Sequence, residues 1–374
     1  MRWLAVLPGV VLVVGTALSV LRSLVVPRAS RNLLLTVVGG KLVAPTFNWV
    51  AFRRRDWRDQ ERILAYAGPV ALLLLFGTWL VGFYLGYALM LWPVDHVAFS
   101  GALREAGSSV LTLGTASSSR PLATTVDYAA AATGLLVVAL EIAYVPTLYG
   151  AFNRREVQVT LLQARAGLPA WGPELLARHQ MTEMVHRVDS LYRDWETWAA
   201  DLSESHTNYP ILLFFRSPHP LRSWVLAVLA VLDSAALYLS VSPQAAPIES
   251  RLVLRMGFES LREIADVLGI PHDPDPRPGD RIALTEAEFQ AGIDRLTQAA
   301  FPMERSATEA WPHFSAWRVN YESIAYTLAR NLNAAPAPWS GGRRAGIGQV
   351  ATPVLVNRTP DQPDGVTVQQ FRDA

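Results

Sequence analysis

The sequence predicts an all-α membrane protein with three spanning helices and a separate helical domain, because long stretches of the chain carry almost no charge. Residues 3–21 and 63–94 contain no charged side chain, and residues 128–152 contain only Glu141. A helix that crosses the hydrocarbon of a bilayer needs about 20 predominantly apolar residues, so each stretch is long enough. Only 17% of the 374 residues are charged and the mean hydropathy is +0.20, which is typical of a membrane class.

The composition also excludes several other classes of protein. A net charge of +1 gives no electrostatic basis for binding nucleic acid. The absence of cysteine excludes disulfides, thiol catalysis and cysteine-based metal sites. The first apolar stretch is too long for a signal peptide, and no small-residue cleavage site follows it. We therefore expect a retained first spanning helix over residues 1–26.

Basic residues predict how the chain is oriented in a plasma membrane. Nine of them lie in residues 22–62, whereas only Arg104 and Arg120 lie between the second and third apolar stretches. Because basic loops stay on the cytoplasmic side, we expect a multi-pass protein with its amino terminus outside and its carboxyl-terminal domain in the cytoplasm. Residues 27–62 then form an interfacial linker on the inner leaflet, where basic residues such as Arg58 meet anionic lipid headgroups.

Residues 153–333 predict a domain of packed helices. Apolar side chains recur there at helical spacing between charged ones, and Thr285 with Glu288 forms a capping box at one helix start. Residues 223–241 are nearly long enough to span the membrane, but their amphipathic neighbours need an apolar partner, which favours a buried core helix. Residues 334–374 are rich in proline, glycine and polar residues, which predicts a disordered tail. The predicted helices are Pro173–Glu204, Arg222–Val241, Glu249–Leu268, Glu286–Phe301 and Trp311–Leu332.

The segment between the second and third apolar stretches, residues 98–120, has the pattern of a re-entrant helix and loop. A short semi-polar helical stretch ends in the run Thr112-Leu113-Gly114-Thr115-Ala116, and an apolar stretch follows soon after. Irregular backbone is tolerated at membrane depth only where protein or a water-filled cavity covers it. Small residues let backbone carbonyl groups approach an ion, so this run is a candidate selectivity filter. A plain extracellular connector is the alternative that the pattern leaves open.

Residues 66–168 resemble the two-span pore module of the potassium channel superfamily, and in particular bacterial proteins labelled as two-pore-domain-type potassium channels. The likeness rests on the run 112–116, at the position of the TVGYG-type filter, and on Tyr144–Tyr149, Phe152–Val157 and Gln163–Gly167. The resemblance implies a pore module over residues 63–152 with a single pore loop, so that four chains close one pore as a homotetramer. It also implies a permeant monovalent cation, K⁺ in the family, and no other cofactor.

The candidate filter departs from the pattern of the family it resembles. Thr112 and Gly114 match that pattern, whereas Thr115 and Ala116 replace its Tyr-Gly pair. If Ala116 took the left-handed conformation of the glycine, the strain would be on the order of 1 to 2 kcal/mol per subunit. We therefore expect a cation path of weak selectivity.

Three residues of the third apolar stretch are candidates for an inner cavity and gate. Gly134 and Pro146 allow a helix to bend. Glu141 would cost roughly 2.5 to 3.5 kcal/mol if it faced lipid at the bilayer centre, so we expect it to face a cavity or a partner. In a four-fold pore it would form a ring of carboxylates that attracts cations. Pairing with Tyr144 or with a linker arginine is the alternative.

The remaining candidates are weaker. His179, Glu183 and His186 have the spacing of one helix face, but ordinary solvated side chains explain that spacing and we predict no metal site. No nucleophile, base and orienting residue come together, so we predict no enzyme and no catalytic residue. A channel-derived sensor or scaffold that does not conduct stays open as a second hypothesis. It would act through a partner of the helical domain that the sequence does not identify.

Overall fold

The computed structural model describes residues 2–24, 36–54 and 57–343, together with the backbone of residues 357–359 and 362–366. Within these residues the regular structure is helical apart from two short antiparallel strands, β1 (Asn357–Thr359) and β2 (Gln362–Val366). The expected all-α class is therefore confirmed. The chain divides into two compact units, one of Met1–Val50 with Tyr66–Ala151 and one of Ala51–Ala65 with Phe152–Ala374.

The helices follow one another along the chain with short connections. Short irregular helical segments stand at Arg2–Ala5, Thr36–Val43 (π-helical), Val185–Arg187 and Pro210–Phe214. The α-helices are α1 (Val6–Leu24), α2 (Ala44–Ala51), α3 (Trp57–Leu64), α4 (Ala67–Val94), α5 (Phe99–Val110), α6 (Pro121–Ala166), α7 (Gly172–Met181), α8 (Val188–Asn208), α9 (Trp224–Val241), α10 (Glu249–Leu268), α11 (Glu286–Gln298), α12 (Ala307–Arg318) and α13 (Glu322–Asn331).

Four helical stretches in the described residues are long and apolar enough to cross a membrane by length and composition. They are Arg2–Leu24, Arg58–Val94, Pro121–Ala166 and Trp224–Val241. In the second stretch the charged side chains belong to α3, and the uninterrupted apolar helix is α4. The fourth stretch, α9, is completely enclosed by its own unit, as expected for a core helix. This leaves α1, α4 and α6 as the candidate spans.

In the first unit α1 packs against α4 through small residues. A Cβ atom at Gly9 would lie 2.8 Å from the carbonyl oxygen of Gly86, and one at Gly86 would lie 3.1 Å from the carbonyl oxygen of Gly9. Small residues are the usual means by which membrane helices approach closely, since lipid gives no hydrophobic drive for their association. Trp79 adds a hydrogen bond from its Nε1 to Ser19 Oγ at 3.1 Å.

The second unit is built around α9, all of whose residues are buried. The amphipathic helices α7, α8, α10, α12 and α13 place their apolar faces against the same core. Two predicted helices were wrong in extent. The stretch predicted as one helix from Pro173 to Glu204 is broken between α7 and α8, where Glu183 has a left-handed φ of 56°. The stretch predicted from Trp311 to Leu332 is two helices, α12 and α13.

The predicted disordered tail begins too early. Trp339 is 3% exposed, and its ring lies 5.2 Å from that of Phe314 and 6.2 Å from that of Phe289. Its Nε1 donates to the carbonyl oxygen of Glu288 at 2.8 Å. The prediction was wrong for residues 334–343, because one large aromatic side chain can anchor a segment whose average composition is polar. Most of residues 344–374 lies outside the described residues.

The predicted linker over residues 27–62 does not form one element. Residues 27–35 lie outside the described residues, whereas Thr36–Val43 and α2 belong largely to the first unit. Residues 51–65, with α3, pack as part of the second unit. The boundary between the units after Ala151 falls within one residue of the end that the sequence predicted for the pore module, at residue 152.

Candidate functional site

The short helix expected between the second and third apolar stretches is α5. It packs against α4, where a Cβ atom at Gly107 would lie 3.2 Å from the Cε2 atom of Tyr84. Its last turn also meets α6 at Gly134, where a Cβ atom would lie only 1.9 Å from the carbonyl oxygen of Val110. The end of α5, from which the candidate filter starts, is therefore held between two apolar helices.

The helix α5 ends in a Schellman-type turn at the first residue of the candidate filter. The Thr112 N–H donates to the Ser109 carbonyl at 3.0 Å, and the Leu113 N–H donates to the Ser108 carbonyl at 2.8 Å. Thr112 has a φ of 53°, where a β-branched residue carries strain on the order of 1 to 2 kcal/mol. The left-handed residues of the run are thus Thr112 and Gly114, whose φ is 67°, and Ala116 does not carry the strain that the family pattern led us to expect.

Residues 112–115 are exposed on the single chain, and Ala116 is half-buried. The Ala116 N–H donates to Ser108 Oγ at 2.9 Å, which turns the loop back over α5. Within the described residues, the carbonyl oxygens of residues 112–116 accept no hydrogen bond. Free carbonyl oxygens of this kind can coordinate a cation, and they would not be stable against lipid.

Behind the loop lies a buried polar cluster that connects α4, α5 and α6. Ser109 Oγ donates to Asp127 Oδ1 at 2.6 Å, and Ser118 Oγ donates to Asp95 Oδ1. Glu105 is also buried, and its Oε1 makes no hydrogen bond within the described residues. The same holds for Asp127 Oδ2. The cluster therefore fixes both ends of the loop and leaves buried acceptor oxygens beside it.

The sequence analysis did not identify this cluster as part of the site. Its signal in the sequence was weak: Glu105 and Ser109 stand four residues apart, which places them on one face of α5. The two aspartates come from neighbouring elements, Asp95 from the end of α4 and Asp127 from the second turn of α6. Only the fold brings these four side chains to one place.

The residues predicted for an inner cavity lie along α6. This helix is uninterrupted from Pro121 to Ala166, across both Gly134 and Pro146. Pro146 has no N–H, so it cannot donate to the carbonyl of Ile142 as the helical pattern requires. Gly134 is required by its close approach to α5, which the sequence analysis did not foresee. A role of either residue in bending stays a prediction.

Glu141 lies one helical turn from the exposed apolar side chains of α6. Its Oε1 is buried and makes no hydrogen bond within the described residues. The next residue, Ile142, is 69% exposed, and Val138 is also exposed. The carboxyl group is thus available to water or to another molecule beside a surface that is otherwise suited to lipid or protein.

The weak metal candidate does not form a site. His179 lies in α7, and its Nδ1 is 2.8 Å from the carbonyl oxygen of Leu175, but α7 ends at Met181. Glu183 and His186 follow in the turn after it, so the three side chains do not share one helix face. No group of three or more histidine and acidic side chains in the described part of the chain is placed to hold a metal ion.

Comparison with known proteins gives one match. The chain is 25% identical over 189 residues to the "Uncharacterized membrane protein YdjJ" of Bacillus subtilis (strain 168). The match covers 47% of this chain and 54% of that protein, so the chain spans about half the length of this relative. No family model and no solved structure matches the chain. Together with the apolar helices α1, α4 and α6, the similarity identifies the chain as an all-α membrane protein with several candidate spans.

Proposed function

We propose that the chain forms a homotetrameric, potassium-channel-like cation channel. Copies of α4, α5 and α6 surround the pore, α5 re-enters the membrane, and α1 packs outside. The observation that carries the proposal is the loop 112–116, exposed between two apolar helices, whose carbonyl oxygens accept no hydrogen bond within the described residues. In a ring of four chains these oxygens take the place of the water around a permeant cation.

Glu141 supports the same proposal. A carboxylate near the middle of a spanning helix is costly in lipid and is expected to face a water-filled cavity or a partner. Its buried Oε1 makes no hydrogen bond in the described residues, and the exposed apolar side chains around it suit contacts with a second copy. Four such carboxylates around one axis raise the local concentration of cations.

The proposal includes a place for each part of the chain. The amino terminus lies outside the plasma membrane, and the helical domain lies in the cytoplasm, because the basic residues are concentrated in residues 22–62. Those basic residues contact anionic lipid headgroups. The altered pair Thr115–Ala116 supports weak selectivity among monovalent cations, with no enzymatic activity and no cofactor.

Potassium and sodium flux into liposomes that carry the purified tetramer tests the proposal. We expect both ions to pass, with K⁺ at least as fast as Na⁺, and we expect Gly114→Asp to abolish or strongly alter the flux. Gly279→Asp is the matched control, because both glycines are exposed and an added Cβ atom meets nothing within 4 Å at either position. A folded tetramer without flux under several pH and voltage conditions contradicts the proposal.

Glu141→Gln tests the carboxylate ring separately. Neutralising it should lower the single-channel conductance for cations by up to about tenfold, since the ring concentrates cations electrostatically. Glu259→Gln, at an exposed position of α10, is the control and should leave conductance unchanged. An unchanged current in the Glu141 variant removes this residue from the pore.

The second candidate is a channel-derived sensor or scaffold that does not conduct. The observation in its favour is Thr112, whose left-handed backbone closes α5 and so differs from the extended filter that we expected. A monomer or dimer in mild detergent, measured by native mass spectrometry, favours this candidate because one loop per chain cannot close a pore.

A further inference from the structure

The helix α3 is attached to the helical domain by a buried ion pair. Arg216 Nε donates to Glu61 Oε1 at 2.7 Å. Glu61 is 5% exposed, and Arg216 is also largely enclosed. Because α3 ends at Leu64 and α4 begins at Ala67, this ion pair lies a few residues from the start of a candidate span.

Arg216 connects three separate segments of the second unit. It stands just after the short helix Pro210–Phe214 and binds α3 through Glu61. Its other nitrogens donate to the carbonyl oxygens of Leu332 and Asn333, the latter at 2.8 Å, where the last helix of the domain ends. Loss of the pair would therefore free α3 from two distant parts of the helical domain at once.

The pair is not fully compensated. Glu61 Oε2 is buried and makes no hydrogen bond within the described residues. Burial raises the pKa of Glu61 from its ordinary 4.5 to about 7, although the charge and hydrogen bond of Arg216 act in the opposite direction. Arg216 is the charged group that faces Glu61, while Leu332 and Asn333 contribute only backbone carbonyls.

The other charged side chains of α3 point to solvent and do not take part. Arg58 is exposed, and Asp59 pairs with Arg62 at 3.2 Å in a half-exposed to exposed environment. His219, farther along the segment of Arg216, is influenced by Arg58 and by Arg222. These groups are not among the causes of the pKa shift of Glu61.

We propose that Glu61 and Arg216 form a pH-sensitive latch that holds the amino-terminal end of α4 to the helical domain and loosens as the pH rises through neutrality. Opening exposes Glu61 to water, where its pKa returns to the ordinary value. The open form therefore binds fewer protons, and raising the pH favours it. The pKa values of 4.5 and about 7 place the effect between pH 4.5 and 7. Between pH 5 and pH 8 the opening equilibrium should rise by roughly 10- to 100-fold.

Hydrogen–deuterium exchange of the full-length protein in detergent tests the latch without any measurement of ion flux. After correction for the chemical exchange rate, protection of the amides of α3 should fall roughly 10- to 100-fold from pH 5 to pH 8. The Glu61→Gln variant should lose this dependence. Asp59→Asn, on the exposed face of the same helix, is the matched control and should keep it. Protection of the wild-type α3 that does not change with pH, or an unchanged dependence in Glu61→Gln, overturns the proposal.

A second variant keeps the test decisive if Glu61→Gln does not fold. Arg216→Gln removes the cation and leaves Glu61 buried, so the loss of protection should move to higher pH. A loss that stays in the same pH range overturns the proposal. The latch also adds regulation to the proposed channel, where flux should change with pH in the wild type and not in Glu61→Gln. Exchange that follows the prediction in a protein without flux supports the latch and contradicts only the channel.

Discussion

Replacing Gly134 by alanine should separate α6 from the end of α5 and destabilise the pore unit. An added Cβ atom would lie 1.9 Å from the carbonyl oxygen of Val110 and 2.8 Å from its carbonyl carbon. Non-bonded contacts of a real Cβ atom essentially never fall below 3.0 Å, so the two helices must move apart by more than 1 Å. The obstacle is backbone, which cannot rotate away as a flexible side chain can.

The size of the effect follows from two opposing contributions. Overpacking of a tight contact typically costs about 1 to 3 kcal/mol. Exchanging glycine for alanine inside a helix contributes up to about 1 kcal/mol in the stabilising direction. We therefore expect a net destabilisation of about 1 to 2 kcal/mol. Gly77→Ala in α4 is the matched control, because a Cβ atom there meets nothing within 4 Å and only the favourable contribution remains.

The assay is the midpoint of thermal unfolding in one detergent, followed by tryptophan fluorescence at a fixed scan rate. The midpoint of Gly134→Ala should lie below that of the wild type, and the midpoint of Gly77→Ala should be equal to it or higher. Because unfolding of a membrane protein is often irreversible, only the order of the midpoints is compared. Equal midpoints for the two variants would refute the close approach of α6 to the end of α5.

Two further predictions concern the helical domain. Arg318→Met should lower its unfolding free energy by about 3 to 5 kcal/mol, because Asp233 and Glu322 lose the buried cation that lies 3.4 and 3.1 Å from them; an unchanged unfolding midpoint in urea would contradict this. Trp339→Ala should cost about 3 to 5 kcal/mol in the same measurement, because the ring fills the space between Phe289 and Phe314. A negligible effect would return residues 334–343 to the predicted tail.

Much of the helical framework could be predicted because its signals are local. The bounds of α10 follow from an amphipathic pattern that ends at a left-handed glycine, Gly269. The start of α11 follows from the capping box of Thr285 and Glu288, whose two reciprocal hydrogen bonds are present. The predicted helix around Glu183 failed because the apolar spacing continues across a residue that leaves the helical conformation.

The candidate site was predictable in place but not in conformation. Its position follows from apolar stretches on both sides of a short helix. The left-handed Thr112 could not be predicted, because a β-branched residue rarely adopts that conformation and nothing in the local sequence requires it. The polar cluster of Glu105, Asp95 and Asp127 depends on the packing of three helices, which a pattern along one chain does not contain.

Buried arginines explain why the helical domain holds irregular segments in place, and why the sequence concealed this. Arg155 donates to the carbonyl oxygens of Leu212 and Phe215, and Arg216 and Arg318 donate to carbonyls of the segment 332–339. A buried carbonyl without a partner is costly, and one guanidinium can donate to several because it has five N–H groups. In the sequence these residues are indistinguishable from solvent-exposed arginines. Glu61 and Arg216 are 155 positions apart, so only the folded chain shows that one of these arginines also holds the helix before α4.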